Sequence, residues 1–181
     1  MEIIHRGRFT ETCFDKFENV TITEWICPKA DVLFGEYNWM NKGQTIVETF
    51  NLVLRRIKDS EFEELVIDYY WFGAELFFFN SGSLIINCDN KENLRLIADD
   101  EDTREFVSPG WEMSGSYEIT IEDLRKVCNA EKIEIRVSEE RYSFELEGKG
   151  LLKFQLMCRS FLSEVFNEKL HDDWVNSLLQ E

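Results

Sequence analysis

Residues 117–166 read YEITIEDLRKVCNAEKIEIRVSEERYSFELEGKGLLKFQLMCRSFLSEVF, and the changes of hydrophobic period within them decide the fold class. Tyr117 to Ile119 is short and extended. Thr120 stands where an N-cap belongs, with Asp123 three residues on as an acidic variant of the capping box. Ile121, Leu124, Val127 and Cys128 then share one helical face. Ile133, Ile135 and Val137 alternate with Glu134 and Arg136, as in a half-buried strand. Tyr142, Phe144 and Leu146 repeat the alternation after a turn at Ser138-Glu139-Glu140. From Leu151 the period returns to helix: Leu151, Phe154, Cys158, Phe161, Leu162, Val165 and Phe166 make a broad apolar face. The glycine pair in Gly148-Lys149-Gly150 marks the entry to that helix, and Asp172 is placed to cap a last short one carrying Trp174, Val175, Leu178 and Leu179.

Upstream the chain reads as strands. Val20 to Cys27, closed by Pro28, Asp31 to Met40, and Thr45 to Ile57 are rich in β-branched and aromatic residues. Leu65 to Phe79 is almost continuously apolar, the pattern of a strand covered on both faces. Leu84 to Cys88 and Asn93 to Ala98 follow, set off by turn residues at Asn80 to Ser83 and at Asp89-Asn90-Lys91. The expected fold is therefore α+β. A mainly antiparallel β meander leads to a helix, a hairpin and C-terminal helices packed on one face of the sheet. One domain over 1–181 is expected, with a β-rich part at 1–98, an acidic connecting loop at 99–116 and a helix–hairpin–helix part at 117–181.

Composition narrows the function classes. With 36 acidic against 20 basic side chains in 181 residues, the formal net charge is −16. Residues 1–90 carry −7 and residues 91–181 carry −9, so the excess is spread along the chain. Binding a phosphate backbone needs clustered Lys and Arg, so no direct nucleic-acid binding and no membrane association are expected. The amino terminus has no apolar h-region and no long apolar run occurs, which reads as a cytoplasmic protein. Cys13, Cys27, Cys88, Cys128 and Cys158 form no close pair and are read chiefly as small buried hydrophobes in a reducing compartment.

Catalytic signatures are missing. There is no phosphate-cradling glycine motif and no nucleophile elbow, and the two histidines, His5 and His171, lie in a terminal segment and an inter-helix loop. Asp99-Asp100-Glu101-Asp102 has oxygen ligands for a hard cation but lacks the turn glycine of a calcium loop, so no metal and no cofactor are expected. The reading favoured is a non-catalytic acidic binding protein that neutralises a basic macromolecular partner, in the manner of an immunity or antitoxin protein. Its partner-binding residues are taken to be Trp111, Asp99, Asp100, Glu101, Asp102 and Trp39. The tryptophans serve as aromatic anchors and the carboxylates stand where phosphates would otherwise sit. The rival is a small-molecule sensor or enzyme with a pocket between sheet and long helix, lined by Tyr69, Tyr70, Phe77, Tyr142 and Phe154. A homodimer through an edge strand is a third expectation.

Overall fold

A computed structural model describes residues 1–26, 33–41, 44–73, 83–89, 91–97, 103–107, 110–137, 142–146 and 148–169. The molecule is α+β, with two antiparallel sheets sharing one hydrophobic core with a long helix. The main sheet is built from β1 (Glu2–Arg6), β2 (Thr10–Asp15), β3 (Val20–Trp25), β4 (Leu33–Asn41), β5 (Gln44–Lys58), β6 (Glu63–Gly73), β9 (Thr103–Val107) and β10 (Gly110–Glu118). Its order is β1-β2-β3-β5-β6-β10-β9. The fifteen residues of β5 are long enough to take two partners along one edge, β4 against Gln44–Asn51 and β3 against Arg55–Lys58. The smaller sheet has the order β12-β11-β7-β8, from β7 (Ser83–Cys88), β8 (Glu92–Ile97), β11 (Ile133–Val137) and β12 (Tyr142–Leu146).

The helix α1 (Ile121–Asn129) begins where its cap demands: the Thr120 hydroxyl accepts from the Asp123 backbone N–H at 3.1 Å. The helix α2 (Gly148–Phe166) opens at Gly148 itself, whose φ of +52° suits a residue without Cβ. Asn167, with φ of +57°, follows its last residue, a conformation asparagine tolerates. Leu151, Phe154, Gln155, Leu156, Met157, Cys158, Ser160, Phe161 and Leu162 are all buried, as in a helix enclosed nearly all round. It lies against the main sheet, where Trp25 Nε1 donates to Ser160 Oγ at 2.9 Å, and against α1, where Gln155 Nε2 donates to the carbonyls of Val127 and Ala130 at 3.1 and 2.7 Å.

A second bond set ties α2 to the β1–β2 corner. The Glu164 carboxylate accepts from the backbone N–H of Arg8 and Phe9, at 3.1 and 3.0 Å, and from Thr10 Oγ1 at 2.6 Å. The approach is so close that a side chain at Gly7 would collide with that carboxylate.

One expectation is corrected. The segment 99–116, read as one acidic connection, contains β9 and most of β10. Inward Trp111 and Tyr117 alternate with outward Glu112, Ser114, Ser116 and Glu118, and the Ser and Gly content hid this period-two pattern. The main sheet is the antiparallel meander expected, while β7 and β8 leave it and pair with the later hairpin β11–β12. Among the described residues, no helix is long and apolar enough to cross a membrane.

Candidate functional site

Cross-strand partners share a face, so register decides which side chains meet. Leu52, Leu54, Ile67, Tyr69 and Tyr117 turn inward to the core, with the Tyr69 and Tyr117 rings 5.7 Å apart. Their neighbours in sequence turn outward and form a polar row across six strands: Arg6, Glu11, Glu24, Arg55, Asp68 and Ser116. At its centre Asp68 is 2% exposed and takes both ends of the Arg55 guanidinium, Nη2 to Oδ1 at 2.8 Å and Nε to Oδ2, with the Ser116 hydroxyl donating to Oδ1. The paired Asp68 holds the Arg55 guanidinium above its ordinary pKa. At the outer end of the row Arg6 Nε donates to Glu11 Oε2 at 2.8 Å.

Between these two pairs two carboxylates meet. Glu11 and Glu24 face each other directly across β2 and β3, an arrangement of like charges that destabilises a sheet. Desolvation raises the Glu24 carboxyl above the ordinary range. Asp68 and Glu11 push it the same way, while Arg55 pulls it back. Beyond Asp68 on the same face comes Tyr70, 47% exposed, between Ser114 on β10 and Asn51 on β5. Burial of part of the ring, then the Asp68 charge, raise its phenol. The Asn51 amide oxygen is shut away from solvent without a hydrogen bond. Glu105, Glu112 and Glu118, all exposed, extend the face. An exposed aromatic thus sits on a sheet face where carboxylates outnumber guanidinium groups. Chemically this suits binding a cation.

The residues singled out from sequence fall differently. Trp111 lies on β10 facing inward, half-buried against the core, its ring 5.2 Å from that of Phe106 in an edge-to-face contact. It is an anchor folded onto the core, and Phe106, 58% exposed on the edge strand β9, carries the exposed aromatic surface. Trp39 is a residue of β4, paired with Ile46. Asp99, Asp100, Glu101 and Asp102 lie outside the described residues, as do Phe77, His171 and the segment holding Trp174. The pocket expected between sheet and helix divides: Tyr69 and Phe154 are closed into the core, whereas Tyr70 points to the opposite face of the sheet. Among the described residues no cluster of His, Cys, Asp and Glu could hold a metal ion. The outward row escaped sequence reading because Asp68 and Tyr70 sit inside an apolar run. The signal available was the alternation Asp68–Tyr70 against Ile67–Tyr69. Comparison with protein-family models, curated proteins and solved structures finds no match to this chain.

Proposed function

We propose that this chain is a non-catalytic acidic binding protein that neutralises a basic macromolecular partner, such as a nuclease or toxin, and that the outer face of the main sheet around Tyr70 is the surface it uses. The observation that carries this reading is the exposed Tyr70 ring on a face bearing Glu24, Glu105, Glu112 and Glu118 in a chain of net charge −16. A large amphipathic ring beside exposed carboxylates has the make-up of an interface anchor, and the surrounding field speeds encounter with a basic protein. An Arg or Lys side chain from the partner, placed over the Glu11–Glu24 junction, would add to the compensation that Arg6 and Arg55 already give these carboxylates.

The test uses the immobilised full-length chain and its Tyr70→Ala and Glu112→Lys variants, challenged with native-cell extract at about 50 and 500 mM salt. The expected result is a stoichiometric basic protein held by the parent chain, bound at least about tenfold more weakly by Tyr70→Ala, consistent with loss of a hot-spot side chain. Binding should also fall steeply with salt. A partner retained equally by parent and variants, or indifferent to salt, would defeat the reading, as would turnover of a substrate.

A further inference from the structure

Three of the thiols converge where α1 meets α2, away from the acidic face. Cys128, in the last turn of α1, is 6% exposed; Cys158, in the middle of α2, is 0% exposed; Cys88 lies at the end of β7 and is buried. The two helices are locked together at this point. Gln155 holds the carbonyls of Val127 and Ala130, and Arg159 donates to the carbonyl of Cys128. Residues 155, 158 and 159 fall on one face of α2, and Leu124 and Cys128 on one face of α1, so the docking bonds fix the end of α1 against the stretch of α2 that carries Cys158. The Cys158 thiol is in hydrogen-bond contact with Cys128, which lowers the Cys128 pKa, the Arg159 charge acting the same way. Cys158 moves in the opposite direction, raised by burial. Cys13, Cys88, Cys128 and Cys158 all carry thiols and no disulfide.

Burial alone accounts for small side chains here, but not for two thiols in hydrogen-bond contact across a junction that three further bonds hold fixed. Cys128 keeps a trace of exposure at the end of α1, and Cys158 has none. We infer that Cys128 and Cys158 are a dithiol that closes to an intramolecular disulfide, joining the end of α1 to the middle of α2, when hydrogen peroxide or a similar two-electron oxidant reaches the end of α1. The Cys128 thiolate attacks one peroxide oxygen, the O–O bond breaks, hydroxide leaves, and Cys128 becomes a sulfenic acid. The Cys158 sulfur then attacks the sulfenic sulfur, forming the S–S bond; the hydroxyl departs with the Cys158 proton as water. Two thiols are oxidised and one peroxide is reduced to two waters. This inference is independent of the acidic face and of any partner.

The experiment treats the folded full-length chain with hydrogen peroxide, quenches with an alkylating agent under denaturing conditions, and maps the non-reduced peptides by mass spectrometry. The expected product is a monomer lighter by two hydrogens, with two fewer alkylated thiols, the peptides of Cys128 and Cys158 linked, and full reversal by dithiothreitol. Cys88→Ser should still form the link and Cys128→Ser should not. The map of the parent chain decides the matter even if a variant fails to fold. A link through Cys88, a dimer through Cys13, or oxidation of Cys128 to sulfinic acid without any link would overturn the assignment.

Discussion

At the scale of single residues, the charged row on the outer face is arranged unevenly. Asp68 has its charge satisfied by Arg55 and Ser116, whereas Glu24 is raised chiefly by desolvation, with Arg55 offsetting part of the rise and Asp68 and Glu11 adding to it. A carboxyl whose folded pKa is raised above its unfolded value contributes stability that is complete below the unfolded pKa and is lost as pH rises through the folded one. Glu24 is therefore a liability to the fold at neutral pH. Glu24→Gln should stabilise the protein at pH 7 by up to about 1 kcal/mol, the scale of a cross-strand charge pair. The gain should disappear as pH falls below about 4, where the unfolded carboxyl is protonated as well. Urea titrations at the two pH values check this; a variant less stable than the parent at pH 7 would refute it. Neither the row nor this liability was legible from composition. Glu11, Glu24, Arg55 and Asp68 come from four strands, and only the register between them makes them neighbours.

Elements differed in how plainly their sequences announce them. α1 is legible because its signals are local: a capping threonine, an acid three positions later and a stripe of apolar residues, all of which the helix uses. The paired strands β11 and β12 are legible for the same reason. β10 was hidden because Gly110, Ser114, Gly115 and Ser116 imitate a loop, and β1 because all five of its residues are exposed and none reports a core. The pairing of β7 with β11 joins residues more than forty positions apart, beyond the reach of any local signal. The attachment of α2 also rests on one side chain that periodicity marks as an exposed position. Glu164 receives two backbone N–H groups and a hydroxyl from the β1–β2 corner. Glu164→Ala should lower stability by about 2–3 kcal/mol, since hydrogen bonds to an ion are stronger than neutral ones and the orphaned amides lose their partner. Glu164→Gln, keeping one acceptor oxygen, should fall between. Denaturant midpoints measure both, and an alanine variant as stable as the parent would show the clamp to be ornamental.

For the whole molecule the dominant quantity is the net charge of −16 shared by both halves of the chain. Self-repulsion of this kind weakens the compact state and is screened by salt. Raising sodium chloride from about 20 to 200 mM, which cuts the Debye length roughly threefold, should increase the melting temperature by a few degrees. A flat or falling Tm in a thermal scan would mean that attractive pairs such as Arg55–Asp68 outweigh the repulsion. The same charge also guards the sheet edges. β1, though exposed with Ile3 and Ile4 on it, carries an irregularity between Ile3 and His5 that breaks its regular pleat, a device that discourages another strand from adding on.

The order of elements along the chain has a consequence for synthesis. All twelve described strands precede α2, yet both sheets share one apolar core with that helix. As the polypeptide leaves the ribosome, Trp25, Leu52, Ile67 and Ile86 emerge long before Phe154 and Phe161 exist to cover them. The nascent protein must pass through a sticky, half-built interval, and its demand on chaperones ends only when the last helix arrives.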